Sequence, residues 1–308
     1  MGDDRRYFIR HCYVAFFVTA MFFAPIRATA WGIVGHRIVC EIAHQQLSGE
    51  SKRAVAKLIE AFKKPNGKRF NHFVDSCSFA DTARHNARDG VKRWKHYAKY
   101  DSWHYLNVPR TTKFLTADTI QCNDDCVLHA IDQHAKILAN HKMTAANRGE
   151  ALILLAHWIA DIHQPLHVAF ADDHGGSDIE LQAHSVYGRH LHSAWDTGIL
   201  KARRGETRLK VYIANLRDIE PNLYAHWNKD IEPVIWANES YQLATSNEAG
   251  YCRWQTTTQA VQGKPACLPI SKRAAIDDAY QILIGPALER RLQQAAVRLA
   301  TTIEHALN

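Results

Sequence analysis

The segment Arg148–Ile162 constrains the fold more than any other part of the sequence, because it is rich in Leu, Ile and Ala. Its length and composition predict a helix apolar enough to lie in the core. His157 and Asp161 interrupt the apolar run four residues apart, which places both side chains on one face of the helix, one turn apart. A buried charged carboxylate is costly unless it is paired or bound to a metal ion.

The residues that follow this helix add a second histidine that could bind a metal ion, His167. Pro165 breaks the helix and redirects His167. A lone histidine would be interpreted as a satisfied core residue, but His157, Asp161 and His167 together favour a metal site. The chain has 19 histidines in all, and histidine is the commonest nitrogen ligand of zinc.

The N-terminus has the pattern of an export signal. Arginines at the start are followed by an apolar stretch over residues 13–24 and by the small-residue motif Ala28-Thr29-Ala30. The apolar stretch is well short of the ~20 residues that span a bilayer, which argues against a membrane anchor. We therefore predict that 1–30 is a cleaved signal peptide, that the mature chain is 31–308, and that it is secreted or periplasmic.

Export to an oxidising compartment favours disulfides. Cys12 is lost with the signal, and six cysteines remain, an even number that allows fifteen connectivities. We favour the local pairs first and then the pair that is left, namely Cys122 with Cys126, Cys252 with Cys267, and Cys40 with Cys77. A thiolate zinc site is a weaker alternative, because the sequence has no Cys-x-x-Cys pair.

Helical patterns dominate the rest of the mature chain. They cover residues 52–64, 124–140, 210–217, 223–243 and 274–307, and the only short strand pattern lies near 178–181. No repeat or linker divides the sequence, so we predict one mainly α-helical domain over 31–308. The net charge is +7 and becomes +5 without residues 1–30, which is weak support for a polyanionic partner.

Four further clusters hold possible metal ligands. His192 and Asp196 repeat the spacing of four, Asp81 lies in Phe79–Arg84, and His104 lies in Asp101–Asn107. Cleavage after Ala30 would also expose the amine of Trp31, which can chelate a metal together with its own carbonyl, near His36. These donors suffice for several zinc sites with open positions, an arrangement that clamps both reacting oxygens of a phosphate diester.

In chain order these motifs resemble the class I zinc-dependent single-strand nucleases and 3′-nucleotidases, which share a superfamily with zinc-dependent phospholipase C. The resemblance extends from Trp31 to about Thr197. It departs from the usual family pattern at Phe79 (usually Trp), Asn107 (Asp in some relatives) and Ser177 (usually Asn).

The resemblance implies an all-α fold with a trinuclear zinc cleft. The ligands would be Asp81, His104, His157 and Asp161 for one Zn²⁺, the Trp31 amine and carbonyl with His36 and the bridging Asp161 for a second, and His167, His192 and Asp196 for a third. Arg84 would lie beside the scissile phosphate, Tyr105 would stack on a base, and Asn107 would touch the edge of a base.

The implied activity is hydrolysis of single-stranded DNA and RNA by a monomeric enzyme. A hydroxide that bridges two zinc ions would attack phosphorus, the products would carry 5′-phosphates, and 3′-nucleotides would also be substrates. Two alternatives are a phospholipase C on the same scaffold and a non-catalytic zinc-binding protein. Asp196 argues against the first, because phospholipases tend to have Glu at that ligand, and Arg84 argues against the second.

Overall fold

The protein is mainly helical, as the sequence predicts. The structure is a computed structural model that describes residues 31–116, 118–182, 185–255, 261 and 263–308. The segment 1–30, predicted to be a signal peptide and including Cys12, lies outside the described residues. The helices are α1 (Ile33–Gln46), α2 (Gly49–Ala61), α3 (Phe79–Arg88), α4 (Val127–Ala139), α5 (Ala145–Ile162), α6 (Leu191–Ser193), α7 (Ile199–Arg204), α8 (Leu209–Arg217), α9 (Pro221–Lys229), α10 (Pro233–Ala244) and α11 (Asp278–Leu307).

Several 3₁₀ helices and a π-helical turn complete the helical part of the fold. The 3₁₀ helices are Phe73–Ser76, Lys92–His104 (hereafter the 3₁₀ arm), Pro165–His167 and Ala171–Asp173, and a π-helical turn covers Ala194–Gly198. Among the described residues, no helix is both long enough and apolar enough to cross a membrane.

Short strands pair distant parts of the chain. The strands are β1 (Leu106–Val108), β2 (Val168–Phe170), β3 (Glu180–Leu181), β4 (Cys252–Gln255), β5 (Ala266–Pro269) and β6 (Arg273–Ala274). β1 pairs in parallel with β2, β3 pairs in parallel with β6, and β4 pairs antiparallel with β5. Because Leu106 lies opposite Val168, the pairing of β1 with β2 brings His104 close to His167.

Helix α5 is the centre of the core. Every residue from Ala151 to Ile162 is buried, and the helix packs against α1, α2, α3, α4, α10 and α11. The Thr144 side chain caps its N-terminus by accepting a hydrogen bond from the Asn147 amide. Gly149 allows the close approach of α2, since a Cβ there would lie 2.2 Å from the Leu58 carbonyl oxygen.

Two predicted helices differ from those observed. The helix predicted over 223–243 is wrong as a single element, because α9 ends at Lys229 and α10 begins at Pro233. Proline lacks the amide hydrogen that a continuing helix needs, but it suits the first helical position. The helix predicted from residue 274 begins at Asp278, and Arg273–Ala274 instead form β6.

Three disulfides link the pairs favoured by the sequence: Cys40 with Cys77, Cys122 with Cys126, and Cys252 with Cys267. All six cysteines of 31–308 are therefore used, and the alternative of a thiolate zinc site is wrong. The first disulfide joins α1 to the turn that precedes α3, which brings together the helices that carry His36 and Asp81.

A buried histidine lies between α4 and the 3₁₀ arm. His134 is 2% exposed, and its Nδ1–H donates to the Ala130 carbonyl at 2.8 Å. The rings of Tyr100, Trp103 and Trp158 pack around it at centroid distances of 5.6, 5.7 and 6.2 Å. Burial among these rings lowers the pKa of His134 to about 4, because the charged imidazolium would be desolvated.

We expect His134→Gln to reduce the acid sensitivity of the fold. As the pH falls from 6.5 to 4, the unfolded chain takes up a proton that folded His134 refuses, so the free energy of unfolding falls by up to about 3 kcal/mol. The variant lacks this loss, which urea unfolding at pH 7 and pH 4.5 would measure. His305→Gln, at an exposed position of α11, is the control and should behave as wild type. An unchanged pH dependence in His134→Gln would contradict the assignment.

Candidate metal centre

Among the residues that the structure describes, histidine and aspartate side chains from separate elements meet in three buried clusters. Within each cluster the possible ligand atoms lie within 4.8 Å of one another. The clusters are His36–Asp81–His157, His104–His157–Asp161 and His167–His192–Asp196. His157 belongs to two clusters, so these two adjoin one another on the inner face of α5.

Asp161 lies at the meeting point of the first two clusters. Its Oδ1 is 3.4 Å from Nε2 of His36, while its Oδ2 is 3.0 Å from Nδ1 of His104 and 3.3 Å from Nε2 of His157. The two oxygens therefore face different histidines, as a carboxylate that bridges two cations would. Asp81 reaches the same region from α3, with its Oδ2 3.9 Å from Nε2 of both His36 and His157.

The third cluster forms where the chain turns after α5. Asp196 lies in the π-helical turn, with its Oδ2 3.5 Å from Nε2 of His192 and its Oδ1 3.9 Å from Nε2 of His167. π-Helical turns are rare and frequently occur at functional sites.

Backbone carbonyls fix the tautomers of three of these histidines. The Nδ1–H groups of His157, His167 and His192 donate to the carbonyls of Cys77, His104 and Gly175 at 2.8, 2.6 and 2.8 Å respectively. Each bond leaves Nε2 without a proton and directed into its cluster. This outer contact is the usual one for histidines that bind a metal ion.

Several polar atoms of the clusters are buried without a hydrogen-bond partner among the described residues. They are Nδ1 and Nε2 of His36, Nε2 of His104, Oδ1 of Asp161, Nε2 of His167 and Oδ2 of Asp196. Buried polar atoms are rarely left unpaired in native proteins, so such a concentration indicates that something binds them. Divalent cations fit these nitrogen and carboxylate donors.

Burial also sets the charge state that such a site requires. Desolvation lowers the pKa of His36, His104 and His167 well below the usual value, which keeps the imidazoles neutral and able to bind metal. Desolvation raises the pKa of Asp161 well above its usual value and that of Asp81 to about 6. A bound cation would offset this cost because it supplies the opposite charge.

The other predicted site residues lie around these clusters. Trp31 is fully buried, and the next residue, Gly32, donates its amide to the Asp196 carbonyl at 3.0 Å, which places the start of α1 beside the third cluster. Arg84 is 5% exposed, and its Nη2 donates to Oδ1 of Asp81 at 3.3 Å. Tyr105 is partly buried next to His104, whereas Asn107 is exposed on β1.

The structure adds residues to which the sequence analysis gave no role. Gln164 donates from Nε2 to Oδ1 of Asp196 at 2.5 Å and accepts from the Leu166 amide at 2.6 Å, so it orients the carboxylate of the third cluster. The sequence signal for this role was the position of Gln164 in the motif between Asp161 and His167. Asp173 accepts from the Gly176 amide at 2.9 Å and from Nη2 of Arg110 at 2.6 Å.

These contacts hold the turn that supports His192. His174, Gly175 and Gly176 all have positive φ, at 52°, 60° and 81°. The turn presents the Gly175 carbonyl to His192, and a Cβ at Gly175 would lie 2.4 Å from the Leu166 carbonyl oxygen. Glycine is therefore required at 175 both by the backbone conformation and by the close approach.

Comparison with known proteins supports the chemistry of these clusters. The S1/P1 Nuclease family model matches residues 31–308. Endonuclease 4 of Arabidopsis thaliana is 30% identical over 293 residues, which cover 90% of this chain and 89% of the relative. Endonuclease 2 of the same plant is 26% identical, with 92% of each chain covered. Nuclease P1 of Penicillium citrinum is 26% identical over 171 residues, covering 54% of this chain and 57% of the relative.

The chain belongs to the S1/P1 nuclease family, which confirms the resemblance drawn from its motifs. Membership supports nuclease activity on nucleic acids, and hence a hydrolase that acts on phosphoester bonds.

Gly175→Ala is expected to weaken metal binding at the third cluster alone. The added methyl group would push the turn away from His192, so bound divalent metal should fall by about one equivalent per chain after dialysis, as measured by elemental analysis. Gly67→Ala is a matched control, because Gly67 also has a positive φ of 79° but has open space around its Cβ position. Equal metal contents in the two variants would contradict the role of the turn.

Proposed function

We propose that this chain is an exported, zinc-dependent endonuclease of single-stranded DNA and RNA that leaves 5′-phosphates and also hydrolyses 3′-nucleotides. The observation that carries the proposal is the convergence of the three His/Asp clusters around Asp161 and Asp196, with Arg84 at their edge. The names of the relatives, endonucleases and a nuclease, support it. The family match favours this activity over a phospholipase C or a non-catalytic zinc-binding protein.

Three zinc ions would use the donors already described. Asp81, His104, His157 and Asp161 would hold one, the Trp31 amine and carbonyl with His36 and Asp161 a second, and His167, His192 and Asp196 a third. When bound, such ions supply an activated water as nucleophile and neutralise the charge that develops on the phosphate oxygens.

The protein side chains would bind and orient the substrate. Arg84, which Asp81 holds at the clusters, would bind a non-bridging phosphate oxygen through its guanidinium group. Tyr105 would stack on a base, an interaction worth about 1–3 kcal/mol per base that tolerates any sequence. Asn107 offers both an amide donor and an acceptor to the edge of a base. A duplex hides the faces of its bases, which explains the preference for single strands.

The activity is tested with the zinc-loaded chain 31–308 on denatured DNA and on RNA. We expect acid-soluble nucleotides with 5′-phosphates to be released, the release to stop on chelation, and zinc to restore it. Asp161→Asn should lower kcat by about a thousandfold or more, because the carboxylate serves two clusters.

The matched control for Asp161→Asn is Asp132→Asn, at an exposed residue of α4 that pairs only with Lys136 in the described structure. It should retain wild-type activity. No release of nucleotides by the zinc-loaded wild type would overturn the proposed function.

The amine of Trp31 would be part of the site only after cleavage of the chain between Ala30 and Trp31. We expect one extra residue before Trp31 to lower both activity and zinc content while circular dichroism shows an intact fold, since the α-amine would be replaced by a peptide nitrogen. An extra residue after Asn308 is the control. Unchanged zinc content and activity in the N-terminally extended protein would remove the Trp31 amine from the site.

A further inference from the structure

The 3₁₀ arm is unusually long for its type. It runs for 13 residues, whereas 3₁₀ helices of more than three or four residues are uncommon. With three residues per turn, side chains three apart form rows along the arm. The first row is aromatic and is made of Trp94, Tyr97, Tyr100 and Trp103. This row faces the core, since Phe79 of α3 contacts the rings of Trp94 and Tyr97 at 5.8 and 5.3 Å.

The two remaining rows point in different directions. One contains Lys92, Lys95, Ala98 and Asp101, and the other contains Arg93, His96, Lys99 and Ser102. Asp101 pairs with Arg88 of α3 at 2.5 Å, so its row lies on the α3 side of the arm. His96 approaches Glu150 of α5 at 3.8 Å, so its row lies on the α5 side.

The row on the α3 side adjoins a line of arginines that begins at the metal centre. Asp81, Arg84 and Arg88 are spaced at i, i+3 and i+7 and therefore share one face of α3. Asp81 belongs to a cluster, Arg84 pairs with it, and Arg88 lies one turn further out, where Asp101 ties it to the arm. Lys95 and Lys92 belong to the row of Asp101, two and three turns back along the arm. Because the arm ends at His104, this row leads along the arm to the metal centre.

Both lysines are available to a ligand. They are exposed, and among the described residues neither has a carboxylate within ion-pair distance. Tyr105 is partly buried and directly follows His104, the last residue of the arm. A base stacked on Tyr105 would therefore lie at the end of the arm to which this row of cations leads.

We propose that Arg88, Lys92 and Lys95 form a phosphate-binding track that guides single-stranded nucleic acid into the metal centre. This inference rests on the proposed function. Contacts between cations and phosphates are independent of sequence and weaken with salt, as a nuclease that cleaves many sequences requires. The track engages only a substrate that extends beyond the nucleotides at the cleft, so it distinguishes polymers from short substrates.

The test compares two double charge reversals on the same arm, K92E/K95E on the α3 side and R93E/K99E on the α5 side. The measured quantity is the ratio of kcat/KM for a long single-stranded oligonucleotide to kcat/KM for a dinucleotide. We expect the ratio to fall about tenfold in K92E/K95E and to stay near the wild-type value in R93E/K99E. For the long substrate, the slope of log(kcat/KM) against log salt concentration should also become less negative by about 1.4 in K92E/K95E, because two phosphate contacts are lost.

An unchanged ratio in K92E/K95E, or an equal fall in both variants, would overturn the track, since the second result would reflect net charge alone. Binding of a fluorescent single-stranded oligonucleotide, measured with both reversals in an Asp161→Asn background, separates the track from the chemistry. Weaker binding with K92E/K95E alone supports the track, and equal binding with both overturns it. Failure of the proposed function is distinct, because the zinc-loaded wild type would then cleave neither substrate.

Discussion

The fold is organised around one carboxylate that is placed where carboxylates are costly. Asp161 is fully buried in a helix whose neighbours are almost all apolar, and desolvation raises its pKa well above the usual value. The cost of burying a carboxylate is offset only if the group takes up a proton, pairs with a cation or accepts hydrogen bonds from several donors. The protein brings His36, His104 and His157 to its two oxygens, and each of these imidazoles is itself kept neutral by burial. Neutral donors around a buried acid do not balance its charge, and this imbalance is what a metal ion would correct.

The end of α5 must then be held as firmly as its middle. Helix α5 ends before Pro165, where the amides of His163 and Gln164 donate to the Ala160 and Asp161 carbonyls at 3.1 and 2.9 Å. The carbonyls of Ile162 and His163 are instead met by side chains. The Ser240 hydroxyl donates to the Ile162 carbonyl at 2.5 Å, and Nε of Arg291 donates to the His163 carbonyl at 3.3 Å. Arg291 is itself paired with Glu239 at 2.5 Å. This buried network lies between the residues that supply Asp161 and His167, so it fixes the separation between the two parts of the metal centre.

The sequence predicted those features that depend on local geometry. Within a helix, a spacing of four residues places His157 and Asp161 on one face, and the apolar run of α5 predicts its burial. The same spacing predicts that His192 and Asp196 lie close together, although Asp196 lies in the π-helical turn. Tertiary contacts could not be predicted from such local patterns. The bond from His192 to the Gly175 carbonyl and the support of that turn by Asp173 and Arg110 join positions far apart in the chain, and no local pattern encodes them. The break between α9 and α10 could have been predicted, because Pro233 marks it.

The disulfide between Cys40 and Cys77 lies next to residues of the metal centre. Cys40 lies one turn after His36 on α1, and the Cys77 carbonyl accepts the Nδ1–H of His157. The rings of His36 and His157 stack at a centroid distance of 4.0 Å, so the disulfide restrains both partners of this pair. Ligands that are already positioned lose less conformational freedom when a cation binds. The disulfide therefore favours the geometry of the first two clusters, since the same few residues of α1 and of the turn before α3 belong to both.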